Sequence, residues 1–163
     1  MNVQINKELY SAYFYLAMAA WCDDENLVGF GNFFKAQAEE EVGHAMKFFG
    51  YMNERGNRVV LDAIDKPKSD FKDVEEIFAL GLEHEKYVTG RINDLVDLAI
   101  KEKDHASKTF LDWYVSEQVE EEATFDGILK KIRLVGKTGH GLLMLDSQVG
   151  QRMPQITAQQ PEE

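Results

Sequence analysis

The chain has 163 residues, 44% of them hydrophobic and 29% charged, which is the balance of one globular domain and excludes a disordered chain. Lys and Arg number 18 against 29 Asp and Glu, so a net charge of −11 argues against nucleic acid or an anionic membrane surface as partner and favours cations. Cys22 is the only cysteine, which excludes an intramolecular disulfide, a zinc ribbon and a four-thiolate iron site.

Proline is absent from Met1 to Lys66 and again from Lys68 to Met153, leaving two long stretches free to be helical. Apolar residues recur there at three- and four-residue spacing, and no strand-like alternation persists. The first predicted helix runs from Met1 to about Cys22 and carries Leu9, Tyr13, Leu16 and Ala20. Asp23, Asp24, Glu25 and Asn26 follow as a polar turn with capping residues. A second helix is expected over Leu27 to Arg55, stopped by Gly56. Asn57 to Asp70 reads as an extended strap that contains Pro67. The third helix spans Phe71 to Lys101, a charged turn covers Lys101 to His105, and the fourth helix runs from Ala106 to Val135. Beyond Gly136, Gly139 and Gly141 comes a short apolar helix, Leu142 to Val149, whose Leu142, Leu143, Met144 and Leu145 call for neighbouring subunits to bury them. Residues 1–152 then form the domain, and 153–163 an acidic, frayed tail. No segment is apolar over a spanning length and no signal peptide is visible, so the expected location is cytoplasmic, without membrane contact.

The strap decides the topology. Its residues, at about 3.3 Å each, reach roughly 46 Å, and a helix of about 28 residues is roughly 42 Å long. The strap therefore spans the full length and makes helices two and three parallel, whereas the short turns make antiparallel hairpins. The predicted fold is all-α, a four-helix bundle with one long crossover between helices two and three, plus a short fifth C-terminal helix.

Carboxylates interrupt the core-facing stripes. The stripes read Glu8, Ala12, Tyr15, Ala19; then Phe34, Ala38, Glu41, Ala45, Phe48, Met52; then Val74, Phe78, Gly81, Glu85, Val88, Ile92, Leu95, Ala99; and finally Phe110, Tyr114, Glu117, Glu121, Phe125, Ile128, Ile132. Glu8 and His44 stand equally far in sequence from Asn26, and Glu85 and Glu121 equally far from Lys103. With the turns centred there, each lies roughly 27 Å from its turn, so each pair comes to one level. A lone glutamate on a helix usually faces solvent, and Glu-x-x-His alone carries little information. Four interruptions at matched depth do. Four buried carboxylates repel one another and are costly to desolvate, and two divalent cations would cancel their charge. Glu41 and His44, three residues apart, face the same way, the known arrangement of dinuclear iron bundles. Oxygen and nitrogen ligands without thiolate suit iron or manganese, with zinc also open.

These residues lie in strings that resemble the non-haem bacterial and archaeal ferritins, within the ferritin-like di-iron family: Asn6-Lys7-Glu8-Leu9-Tyr10-Ser11, Glu39-Glu40-Glu41-Val42-Gly43-His44, Glu83-His84-Glu85 and Trp113-Tyr114-Val115-Ser116-Glu117-Gln118-Val119-Glu120-Glu121-Glu122. The resemblance implies a first iron held by Glu8, Glu41 and His44, with Glu41 bridging to a second iron that Glu85, Glu121 and Gln118 complete. It implies a third iron site at Glu40, Glu117, Glu120 and Glu121, with Tyr15 and Trp113 nearby. The implied function is storage and detoxification of iron: a ferroxidase takes ferrous iron to ferric with dioxygen or hydrogen peroxide and keeps the mineral in a hollow 24-subunit shell. It also implies more helix ahead of Glu8 than the residues present.

Two other readings compete. A bacterioferritin-like or rubrerythrin-like di-iron oxidoreductase would carry Glu-x-x-His on the fourth helix and a haem methionine after the bridging glutamate, or a thiolate iron module. Here Thr124 stands three residues after Glu121 and Val42 follows Glu41, so no haem is expected, and one cysteine cannot supply the thiolate module. A non-catalytic helical scaffold would differ by binding no iron.

Overall fold

The structure, a computed structural model, describes residues 1–151, so the expected tail at 153–163 lies outside the described residues. Five helices follow in chain order: α1 (Asn2–Asp24), α2 (Val28–Glu54), α3 (Val74–Lys101), α4 (His105–Val135) and α5 (His140–Val149). No strand occurs among the described residues. The chain divides into two compact units, one built on Asn2–Ser69 together with 146–151, the other on Asp70–Leu145.

In the first unit α1 packs along α2. Ile5, Ala12, Tyr15, Met18, Ala19 and Cys22 are buried on α1, and Phe30, Phe33, Phe34, Ala38, Ala45 and Phe48 on α2. Tyr15 stacks on Phe34 with ring centroids 6.0 Å apart, a preferred aromatic arrangement. Cys22 is fully buried, and that desolvation, with Asp146 and Asp23 adding to it, pushes its thiol up to about 12. The residue behaves as a small apolar side chain. Leu9, Tyr13, Leu16 and Ala20, which share the apolar spacing of α1, stay outside this core, and Tyr13 and Leu16 are each about half exposed.

The helix ends follow one backbone rule. Asn26, Gly56 and Lys103 all take positive φ, at 59°, 74° and 58°. Around each, two backbone bonds close the last turn: Leu27 N to Cys22 O at 2.8 Å, Asn57 N to Met52 O at 2.9 Å, and Asp104 N to Ala99 O at 2.9 Å are the longer-range members. This is the left-handed cap that satisfies the orphan carbonyls of a helix C-terminus. Asn26 and Lys103 are the residues on which the sequence centres the two hairpin turns.

Helix starts depart from the local reading. The polar cluster Asp23 to Asn26 does not cap α2; its N-cap position is Leu27, which makes no side-chain capping bond. Asp146 of α5 does that work. Its carboxylate accepts from Gly29 N at 3.1 Å and Phe30 N at 2.8 Å, while Asp23 pairs with Lys35 at 2.8 Å. Gly29 must be glycine, because a Cβ there would lie 1.9 Å from the Asp146 main-chain oxygen. α3 starts at Val74 rather than Phe71 because Asp73 caps it, accepting from Glu76 N at 2.9 Å.

In the second unit α3 packs along α4. Ile77, Phe78, Val88 and Ile92 of α3 and Leu111, Tyr114, Phe125, Leu129 and Ile132 of α4 are buried. Gly81 lets α4 approach, since a Cβ there would stand 2.3 Å from the Phe125 ring. Lys137 binds Asp73 at 2.9 Å and Glu75 at 2.8 Å, and Arg133 binds Glu75 at 2.9 Å. In α5, Leu142 and Leu145 are buried within the chain itself, so only Leu143 and Met144 of the expected intersubunit run remain exposed, at 57% and 62%.

Candidate metal centre

On α1 the residues one helical turn apart, Gln4, Glu8, Ser11, Tyr15, turn the same side inward, and on α2 Gln37, Glu41, His44 and Phe48 do. Glu8, Glu41 and His44 are buried at 1%, 1% and 6% exposure. One ligand atom from each lies within 4.8 Å of the others, and among the described residues this is the one group of three or more acids, histidines or cysteines so placed. His44 Nδ1 stands 3.4 Å from Glu41 Oε2. Burial raises the Glu8 carboxyl well above its usual range, and the Glu41 carboxylate beside it pushes the same way. A divalent cation bound there would favour the ionised carboxylate. Glu8 Oε2 is buried without a hydrogen-bond partner, as an oxygen held ready for a ligand would be.

The α3/α4 hairpin carries a second buried polar set, Glu85, Gln118 and Glu121. Gln118 Nε2 donates to Glu85 Oε2 at 2.9 Å and to the Glu85 main-chain oxygen at 3.2 Å. Thr89 Oγ1 donates to Glu122 at 2.6 Å. Gln118 and Thr89 also border a cavity of about 330 Å³ lined further by Ile92, Asn93, Val119 and Glu122.

The buried stripe of α4 corrects the sequence reading at two positions. It passes through Leu111 and Gln118, while Phe110 and Glu117 are only half buried. Seven residues separate Tyr114 from Glu121, so either 117 or 118 can bridge them on a 3.6-residue period. The neutral amide turns inward because it carries a donor for Glu85, whereas a further carboxylate would bury another charge. Tyr15 is fully buried and Trp113 is half buried against Tyr114 at 4.8 Å between centroids. Of the expected third set, Glu121 is buried, Glu40 and Glu117 are half buried, and Glu120 is exposed. Gln4 escaped the sequence reading altogether. Its signal was a polar residue four before Glu8 on the buried stripe.

A family model described as "Ferritin-like domain" matches residues 1–135. The chain belongs to the ferritin family. Among relatives, it is 44% identical to a bacterial non-heme ferritin of Campylobacter jejuni over 91% of this chain and 89% of that one. It is 42% identical to a probable bacterial non-heme ferritin-like protein of Haemophilus influenzae, over 92% and 91%. Among solved structures, an open pore ferritin from the hyperthermophilic archaeon Archaeoglobus fulgidus matches with a TM-score of 0.92 and 47% identity, over 93% and 94% of the two chains. The fold class is thus the all-α ferritin-like one expected from the helix and strap lengths. Ferritins bind and store iron, and the buried Glu8, Glu41 and His44 of this ferritin have the donor types for it. No helix among the described residues is long and apolar enough to cross a membrane.

Proposed function

We propose that this ferritin is a ferroxidase and iron store, and the observation that carries the reading is the buried convergence of Glu8, Glu41 and His44. Two carboxylates and an imidazole taken out of water make an expensive arrangement for an inert core, and a divalent cation offsets that cost. Glu8, Glu41 and His44 hold the first ferrous ion. Glu85 and Glu121, with Gln118 beside them, hold the second, which lacks imidazole and is bound more loosely. Together the two ions would give two electrons, which with two protons take dioxygen to hydrogen peroxide or hydrogen peroxide to two waters, and both would leave as ferric iron. Glu40, Glu117, Glu120 and Glu121 serve as an all-oxygen station that suits hard ferric iron; where a third ferrous ion is oxidised there, Tyr15 supplies the fourth electron that, with four protons, takes dioxygen to two waters.

Self-association into a hollow shell, taken as 24 subunits, provides the storage space. Apolar side chains left in water support it: Tyr13 and Leu16 on α1, Val42 and Met46 on α2, Leu143 and Met144 on α5. The implied location is the cytoplasm.

The test is aerobic ferrous oxidation followed by absorbance, with particle size and iron content measured on the same sample. Glu41→Ala should lose the fast phase while the empty protein gains stability, because a buried charge is gone; a retained fast phase removes Glu41 from the site. Replacing Glu117 and Glu120 together with alanine should spare the first turnover and alter later ones. An unchanged course over many iron additions refutes the third station. Particles no larger than dimers at micromolar concentration refute the shell.

A further inference from the structure

Gln4 sits one helical turn before Glu8, is fully buried, and has no part in the reading above. Its Nε2 donates to Glu8 Oε1 at 2.9 Å. Two atoms of this pair remain buried with no hydrogen-bond partner, Gln4 Oε1 and Glu8 Oε2. A polar side chain kept in a core normally satisfies its own groups. Methionine, of similar length and without the unmet acceptor, would fill this position at lower cost to the empty fold. Something other than packing retains the amide.

With Glu8 ionised, as a metal ligand must be, both unmet atoms are acceptors, so what the pair lacks is positive charge or a donor. An aquated divalent cation brings both. The bond that is made has a further effect. Gln4 occupies Oε1 and leaves Oε2 without a partner, while one carboxylate oxygen of Glu8 lies within 4.8 Å of a ligand atom of Glu41 and of His44. We propose that Gln4 is a positioning residue of this centre: it holds Glu8 as a one-oxygen ligand and thereby favours a transition-metal ion over calcium. Calcium takes six to eight oxygens and uses two-oxygen carboxylate ligation, whereas a compact shell with imidazole suits ferrous iron and its neighbours. This rests on the reading of Glu8, Glu41 and His44 as iron ligands.

The α3/α4 hairpin repeats the device independently. There Gln118 Nε2 donates to Glu85 Oε2, also at 2.9 Å, and a second bond to the Glu85 main-chain oxygen steadies the amide. Each hairpin thus clamps one buried glutamate by one oxygen with a glutamine of the same stripe or of the facing helix. Gln4 is the less anchored of the two clamps, so its removal should show more clearly.

The experiment uses the full chain, freed of metal, titrated with cobalt(II) alone and read by its visible d–d absorption, with calcium as competitor. The His44→Ala variant defines the signal that belongs to this centre. Gln4→Met should bind cobalt about 10-fold more weakly, shift the absorption bands, and let calcium compete where it does not in the parent. Gln4→Glu keeps the size, removes the donor when ionised and adds a carboxylate; it should also shift the bands and admit calcium. It decides the matter if the methionine variant does not fold. If both variants match the parent in affinity, spectrum and calcium competition while His44→Ala abolishes the signal, the role of Gln4 is refuted and the iron centre stands. If the parent shows no signal that His44→Ala removes, the centre is refuted, and the role of Gln4 with it.

Discussion

Asp146→Ala should uncap α2. The helix has Leu27 at its N-cap and no capping side chain of its own. The Asp146 carboxylate reaches the N–H groups of Gly29 and Phe30, the second and third helical positions, at 3.1 and 2.8 Å. Those are the two donors that a local Ser or Asp cap would satisfy. Losing such a cap costs about 1 kcal/mol and up to about 2. Losing a half-buried negative charge at a helix N-terminus costs about 0.3–2 kcal/mol more. The sum is about 2–3 kcal/mol, and at roughly 2–4 °C per kcal/mol for a chain of this size the Tm should fall by about 5–10 °C. Asp146→Asn keeps acceptor capacity without the charge and should fall about half as far. Urea and thermal unfolding give the totals, while amide hydrogen exchange at Gly29 and Phe30 gives the location, since both should lose protection together. A Tm within 1 °C of the parent, with protection at both amides intact, would show that the cap carries no weight.

Two further outcomes follow from the backbone and the buried acid. Lys103 holds φ at 58°, a conformation costing roughly 1–2 kcal/mol for a residue with a side chain; Lys103→Gly should raise the Tm by about 2–4 °C, and a fall would mean that its side chain matters more than its backbone. Because burial raises Glu8 above 4.5, the folded chain keeps a proton that the unfolded chain releases. The empty protein should therefore lose stability as pH rises from that value through the folded pKa, by at most about 1.4 kcal/mol per unit, and a bound divalent cation should remove the slope; stability that rises with pH across that window would overturn the assignment.

Much of this was readable before any coordinates. Strict helical spacing and two proline-free stretches marked the helices, and the polar and charged clusters at Asp23 to Asn26 and Lys101 to His105 marked the turns. The burial of Glu8, Glu41, Glu85 and Glu121 was legible because an acid inside an apolar stripe has no ordinary reason to be there, and that of His44 from its place three residues after Glu41. What stayed hidden depends on partners far along the chain. Asp146 lies 117 residues from Gly29, so no local rule connects them. Gln4 is a neutral amide, and only the direction of its hydrogen bond to Glu8 separates a clamp from a surface residue. Tyr13 and Leu16 share the apolar rhythm of α1 yet lie outside its core, since a helix apolar on most sides does not reveal which side turns inward.

The strap sets an order of events. Asn2 exchanges two bonds with the Val60 main chain, at 2.7 and 2.9 Å, and Asn6 Nδ2 donates to the Ala63 main-chain oxygen at 2.9 Å. In an unfolded chain, joining residues 58 positions apart closes a long loop. Once α1 lies along α2, the end of α2 already stands near the start of α1, and only the few residues from Gly56 to Val60 remain to be closed. The strap can therefore fasten cheaply after the hairpin and not before it. Unfastening runs the other way: the strap can let go while the hairpin persists, whereas the hairpin cannot part without the strap. A protease would find its first cut between Asn57 and Ala63, and the severed chain would still hold the helices that carry Glu8, Glu41 and His44.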